Sequence, residues 1–243
     1  MCKSNHDNGD EADGDELNPA GKVKNPMMQT SSRREAPLKR LSQAIVNDSK
    51  YTLDFMREVF RSNKSTGAIA PSGRALAERV TELAEVRHAD VVVEFGPGTG
   101  VFTEMIEQKR KPSAYFCALE VNESFVEATR TRCPSVDVIH DSAQNLLVHL
   151  SKKGFDACDV IVSGLPWTRF PDPLQDSILE ATHNALRPGG KFVTFAYSSS
   201  PLVPNGRKFF KGKLNATFHS VSKSDIVWNN FPPAVVFVAT KKP

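Results

Sequence analysis

Residues 91–102 read VVVEFGPGTGVF, and the rest of the chain is best understood outward from them. Three valines lead through Glu94 and Phe95 into glycines at 96, 98 and 100, and an apolar, helix-forming stretch follows. A buried strand that breaks into closely spaced glycines and restarts as a helix makes a tight turn that lets a ligand approach the backbone. Two phosphate-binding readings fail on spacing. The dinucleotide fingerprint Gly-x-Gly-x-x-Gly needs its third glycine at 101, which is Val101. A triphosphate-binding loop needs Gly-Lys-Ser/Thr, and neither Lys nor Ser follows Gly100. Glu94 would also repel a phosphate, so the acid points to a cationic ligand.

On either side of this turn the pattern alternates. Strands are expected at Val91–Phe95, Tyr115–Glu120, Val136–His140, Val160–Ser163 and Lys191–Tyr197. Helices are expected near Gly73–Val86 (with Ser72 as N-cap), Thr99–Lys109, Glu123–Arg132, Ala143–Leu150 and Pro173–Leu186. The last of these stops at RPGG, a glycine C-cap signal. Such alternation predicts an α/β fold, a parallel sheet with helices on both faces. The end of the chain differs. ATFHSVSKSDIVWNN and FPPAVVFVATKK read as two consecutive strands joined by a short connection with Pro232–Pro233, an antiparallel hairpin at one side of the sheet.

Residues 1–36 are polar and acidic and are expected to be disordered. Residues 37–66 read as an N-terminal amphipathic helical segment, and 67–243 as the folded domain. In SKYTLDFMREVFRSN, Leu53, Met56, Val59 and Phe60 share one helix face with basic flanks. That face suits docking on the domain or contact with a membrane surface. No apolar run reaches the ~20 residues that span a bilayer. No signal-peptide core precedes the domain, so a cytoplasmic location is expected. Cys2, Cys117, Cys133 and Cys158 lack metal-type spacing and read as free thiols. The net charge of +3 is unevenly spread: residues 1–20 hold one lysine and six acids, and residues 197–243 hold seven basic residues and one aspartate. The basic end suits an anionic partner, or is a solvated surface.

Two further acids complete the cofactor pattern. Glu120 ends the second strand, where a carboxylate accepts hydrogen bonds from both hydroxyls of a ribose. Asp141 follows the third strand, placed for an adenine amine. S-adenosylmethionine, with an ammonium, a sulfonium and no phosphate, fits this set. At this point the chain resembles the class I S-adenosylmethionine-dependent methyltransferases, on EFGPGTG (Glu94, Gly96, Pro97, Gly98, Thr99, Gly100), ALEVN (Glu120, Val121) and HDSA (Asp141, Ser142), with Ser163 closing strand four. The resemblance implies a Rossmann-like fold with a mostly parallel seven-stranded sheet.

The acceptor is usually gripped after strand four, here VSGLPWTRFP. Enzymes acting on amines of nucleic-acid bases carry Asn or Asp two residues before the Pro-aromatic pair, and this chain has Gly164 there. With FMREVFRSNKSTGAIAPSGRAL, GGKFVTFAY and NFPPAVVFV, the chain resembles the bacterial phospholipid N-methyltransferases. The family's second serine after Ala-Pro-Ser is Gly73 here. The resemblance implies methylation of phosphatidylethanolamine in up to three rounds, toward phosphatidylcholine. Related enzymes act on ornithine lipids. It also implies peripheral association with an anionic membrane surface through Leu53, Met56 and Phe60, and no nucleic-acid partner.

Gly164, Leu165 and Tyr197 are then candidates to orient the amine. Trp167 is a candidate to face a methylated ammonium through a cation–π contact, or simply a residue packing the loop. NGRKFFKGK interleaves cations with Phe209 and Phe210, as suits a headgroup surface or a single-stranded nucleic acid. Arg207 and Lys208 are its candidate phosphate ligands. His140, His183 and His219 read as structural. No metal constellation appears, and methyl transfer to an amine needs none. The competing readings are an RNA adenine N-methyltransferase, a small-molecule methyltransferase, and a non-catalytic binding scaffold.

Overall fold

The computed structural model describes residues 71–198, 200 and 204–243. The acidic tail, the segment 37–66 and the candidate membrane residues Leu53, Met56 and Phe60 lie outside the described residues. The described strands are β1 (Val91–Phe95), β2 (Tyr115–Glu120), β3 (Asp137–His140), β4 (Cys158–Ser163), β5 (Leu186–Tyr197), β6 (Ser220–Lys223) and β7 (Ala234–Thr240). They form one seven-stranded sheet in the order β3-β2-β1-β4-β5-β7-β6. Neighbours among β1 to β5 pair in parallel, and β7 runs antiparallel between β5 and β6. The strand order reverses between β1 and β4, the switch point at which open sheets of this kind bind ligands.

Five α-helices of seven residues or more flank the strands among the described residues: α1 (Pro71–Leu83), α2 (Val101–Lys109), α3 (Glu123–Arg132), α4 (Leu146–Lys152) and α5 (Asp172–Ala185). Side chains alternate across each strand, so β1 feeds two cores. Val91, Val93 and Phe95 join one core with Leu146, Trp167, Ile178 and Phe192. Val92 joins the other with Leu76, Val80, Ile106 and Val126. Glu94 falls on the second face by the same alternation. At the far end of β1, the Asp159 carboxylate accepts hydrogen bonds from the Asp90 and Val91 amides, both at 2.8 Å, which pins β1 to β4.

Three expectations need correction. The helix containing Ser72 begins no later than Pro71, so Ser72 lies inside it and does not precede it as a cap. The RPGG segment is not a helix C-cap: α5 ends at Ala185, and residues 187–190 belong to a bulged start of β5. Cys158 pairs with Leu186 and Val160 with Lys191, and this mismatch uses the local freedom of two glycines. The hairpin is present, but its connection spans residues 224–233 and is not a short turn.

The basic-aromatic segment also folds differently. It forms a short helix α6 (Pro204–Arg207), a π-helical turn (Lys208–Lys213) and α7 (Leu214–Thr217). Phe209 and Phe210 are buried, at 0% and 2% exposure, so they present no surface to a membrane or a nucleic acid. Phe209 stacks on Trp167 at 4.5 Å between centroids, and Phe210 stacks on Phe237 at 4.6 Å. Apolar burial decides this: a phenyl ring gains more in the core than its charged neighbours lose by lying outside. Phe209→Ala should therefore cost about 3 kcal/mol of stability, as for other large-to-small core changes. Urea unfolding measures this, and a loss below about 1 kcal/mol would contradict the packing described.

Candidate active site

The turn after β1 is held from three sides. The Gly96 amide donates to the Leu119 carbonyl at 2.9 Å, which ties the turn to β2. The Gly98 carbonyl accepts from the buried Thr129 hydroxyl at 2.9 Å, which ties it to α3. Arg132, one turn further along α3, reaches the Thr99 carbonyl at 3.4 Å. Thr129 and Arg132 went unnoticed in the sequence, although their spacing of three puts them on one helix face.

Glu94 and Glu120 sit beside this turn, at 0% and 1% exposure. Glu120 accepts from the Gly98 amide at 3.3 Å and from the Asn122 amide at 3.0 Å. Burial still raises its pKa, against the pull of the Asn122, Gly98 and Val121 amides. The Val121 carbonyl contacts His140 Nε2 at 3.1 Å, which fits the structural role expected of that histidine. A carboxylate has about four acceptor positions, so Glu120 keeps capacity for two ribose hydroxyls.

Glu94 is different. Neither of its carboxylate oxygens has a hydrogen-bond partner among the described residues. Burial pushes its pKa up from 4.5 to about 8. The nearby Thr103 hydroxyl opposes that rise and the charge of Glu120 adds to it. The Thr103 hydroxyl is not at hydrogen-bonding geometry, for its Oγ1 is buried and unpartnered too. An unpaired buried carboxyl is costly and rare. A cationic ligand would pair it and restore its charge.

Asp141 lies beside Glu120, its amide donating to the Glu120 carbonyl at 3.1 Å. Its carboxylate already accepts from the Ser142 amide at 2.7 Å and from Asn145 Nδ2 at 2.8 Å, and contacts His149 Nε2 at 2.7 Å. Burial opposes ionisation of Asp141, yet these three contacts hold its carboxyl below the usual range. Ser142 caps the turn that follows, its hydroxyl accepting from the Gln144 amide. His149 was missed in the sequence. Its signal was there: Asn145 and His149, four apart, grip the same carboxylate.

On the acceptor side, the loop after β4 interlocks with the glycine turn. The Gly164 amide donates to the Phe95 carbonyl at 2.8 Å. A Cβ at Gly164 would stand 2.7 Å from the Gly96 carbonyl oxygen, closer than real side chains come. A Cβ at Gly96 would stand 2.9 Å from Leu165 Cδ2, so Leu165 packs against the turn itself. The Ser163 carbonyl accepts from Thr194 Oγ1 and the Leu165 carbonyl from the Trp167 amide. Of these three carbonyls, only that of Gly164 lacks a protein donor among the described residues.

The structure overturns the cation–π role expected of Trp167. Its ring is 1% exposed and stacked on Phe209, and its indole N–H donates to Ser163 Oγ at 3.1 Å. It holds the loop and cannot offer a face to a substrate cation. Gln175, also missed, donates from Nε2 to the Trp167 and Phe170 carbonyls at 2.7 and 3.1 Å. Tyr197 is 41% exposed at the end of β5, edge-on to Phe195, and shares the sheet face of Glu94 rather than that of Trp167. Lys208 pairs with Asp172, whereas Arg207 is exposed with no ion pair among the described residues.

The strand order, the glycine turn and the acids at three strand ends are those of the class I S-adenosylmethionine-dependent methyltransferase fold. Residues 92–190 match a family model described as a methyltransferase domain. More particularly, the chain is 28% identical over 181 residues to the ornithine lipid N-methyltransferase of Singulisphaera acidiphila, covering 65% of this chain and 94% of that protein. It is 29% identical over 133 residues to ribosomal RNA small subunit methyltransferase A of Thermotoga maritima, but spans only 44% of that protein. Among solved structures, an O-methyltransferase from Bacillus cereus in complex with SAH superposes with a TM-score of 0.55 at 17% identity, over 79% of this chain and 91% of that one. The N-methyltransferase NodS from Bradyrhizobium japonicum superposes equally well, at 0.55 and 12% identity, over 72% and 99%.

S-adenosylmethionine is the cofactor, and the residues present fit it: Glu94 for its cationic end, the turn 96–100 for close approach, and Glu120 for its ribose. The buried Glu94 carboxyl also sets a pH dependence. Its folded pKa of about 8 exceeds the unfolded value near 4.5. The unfolded chain thus holds fewer protons than the folded one between these values, and the stability of the cofactor-free protein falls as pH rises through that window, by a few kcal/mol at most. Glu94→Gln should remove this fall while weakening cofactor binding. Thermal melts from pH 5 to 8 test it, and parallel curves for both proteins would contradict the burial of an unpaired acid.

Proposed function

We propose that this chain methylates the amine of a lipid headgroup at a membrane surface. Phosphatidylethanolamine is the expected acceptor, in successive rounds toward phosphatidylcholine. The observation that carries this reading is the filled space at Gly164. Enzymes that methylate base amines place an amide or acid side chain at this position, and here even one added carbon meets the Gly96 carbonyl. We assign the acceptor to the Gly164 carbonyl, which has no protein donor among the described residues and suits a small, freely rotating amine. The similarity to an ornithine lipid N-methyltransferase across 94% of that protein supports the lipid class and favours ornithine lipid as a second acceptor. No helix among the described residues is long and apolar enough to cross a membrane, which is compatible with work at its surface.

When bound, S-adenosylmethionine supplies a methyl group on a positively charged sulfur. The protein's share is mainly positioning and exclusion of water. Glu94 and Glu120 fix the donor, and the Gly164 carbonyl accepts a hydrogen bond from the neutral amine. Trp167, Ser163 and Gln175 keep that carbonyl in place. A protonated amine loses its proton to water before attack, since no side chain among the described residues stands ready as a dedicated base. Tyr197 at the rim and Arg207 beyond it are the groups we assign to the headgroup, Arg207 to its phosphate. Lys208, already paired with Asp172, is the weaker phosphate ligand, although an exposed surface pair of this kind is screened by water and exchanges readily.

Incubating the protein with labelled S-adenosylmethionine and, in parallel, phosphatidylethanolamine vesicles, ornithine-lipid vesicles and ribosomal RNA separates these acceptors. Label should enter one or both lipids. Label in RNA alone would refute the lipid reading.

A further inference from the structure

The connection between β6 and β7 inverts the usual rule of burial. It buries an asparagine, Asn230 at 5% exposure, and exposes Ile226 at 37%, Trp228 at 72% and Phe231 at 87%. Large aromatic side chains seldom stand so far into solvent without a partner. This turn is also built to hold them there. Val227 and Ala234 form an isolated antiparallel bridge, and the Val227 amide donates to the Ala234 carbonyl at 2.8 Å. The Asn230 amide donates to the Val227 carbonyl at 3.3 Å and Asn230 Nδ2 to the Pro232 carbonyl at 2.7 Å. The asparagine staples the turn from within, and the apolar residues point away.

Its place in the sheet is informative. One cross-strand row runs from Phe95 on β1 through Ser163, Thr194 and Phe237 to Lys223 on β6. The glycine turn, Gly164 and residues 224–233 all leave the sheet just beyond that row, on the same edge. Two strand spacings, about 10 Å, separate β4 from β7. The aromatic turn therefore lies on the same sheet edge as the candidate active site, two to three strands from it. Lys223, at the start of the connection, and Arg207, beyond the end of β5, are exposed and carry no ion pair among the described residues. Asp225 is the single acid in the connection.

We propose that Ile226, Trp228 and Phe231 form an insertion wedge that seats the active-site edge in the headgroup layer of an anionic bilayer. Indole and phenyl rings settle at that depth, and the two cations meet the negative surface. The wedge rests on the lipid reading above, and it explains how the Gly164 carbonyl reaches an amine that stays anchored in its membrane.

The test uses the full chain and vesicles of phosphatidylcholine with phosphatidylglycerol, which contain no amino lipid. The chain has two tryptophans, and Trp167 is buried, so a vesicle-induced change in emission reports on Trp228. Trp228 emission should shift to the blue and be quenched by brominated lipid, and Trp228→Phe should abolish both signals while preserving binding. The double variant Trp228→Ser/Phe231→Ser should bind vesicles at least about tenfold more weakly, with an unchanged melting temperature. Unquenched Trp228, or wild-type vesicle binding by the double variant, would overturn the wedge. So would an unquenched wild type whose concentration-dependent dimer is lost in the double variant, which would make the turn a contact between copies of this chain. Methyl transfer to detergent-dispersed amino lipid is read separately. Its failure in the wild type would sink the proposed activity and leave the quenching result standing.

Discussion

A carboxyl group is buried near the end of the central strand with no hydrogen-bond partner among the described residues. Glu94 has both neighbouring strands beside it, glycines in front and a core of valines behind, and its two oxygens are unpartnered among the described residues. Such an arrangement works against the stability of the empty protein. It becomes favourable when a cation enters, because the same low dielectric that penalises the lone carboxyl strengthens an ion pair. The glycines that let a ligand approach, and the second acid that accepts from Gly98, make sense around this one constraint. The fold is organised to keep this buried carboxyl protonated and unpaired, ready to ionise against a cation.

The acceptor side depends on the same turn. The Gly164 amide bonds the Phe95 carbonyl and a Cβ at Gly164 would meet the Gly96 carbonyl, so the loop after β4 lies directly against the glycine turn. The proposed donor and acceptor subsites would thereby share one backbone framework. Behind them, Trp167 links the Ser163 hydroxyl to the Phe209 ring, so the segment after β5 buttresses the loop after β4. Gln175 secures the same loop from α5. The placement of Gly164 thus rests on packing several residues away.

Much of this was legible in the sequence, for local reasons. β1 and β2 are found to the residue because apolar runs ended by glycine or an acid mark strand ends directly. The three acids were recognisable because strand order brings successive strand ends to one edge. RPGG was misread because a bulged strand and a helix C-cap call for the same glycines, and only the pairing of Cys158 with Leu186 distinguishes them. Phe209 and Phe210 were misread because the cations on either side of them suggest a surface, whereas a π-helical turn sends rings and charges to opposite sides. Nothing in the loop after β4 announces that Trp167 is buried. Its partners Phe209 and Phe192 lie far along the chain, and no local pattern encodes such contacts. The grip of His149 on Asp141, by contrast, could have been read from the helical spacing of Asn145 and His149.

The central claim is that the cofactor's positive charge ionises a neutral, buried Glu94. Calorimetric titration of S-adenosylmethionine at pH 7, in buffers of different ionisation enthalpy, counts the protons exchanged on binding. With an empty-site pKa of about 8, binding should release close to one proton in the wild type and none in Glu94→Gln. Binding of equal strength with no proton released from the wild type would contradict the account.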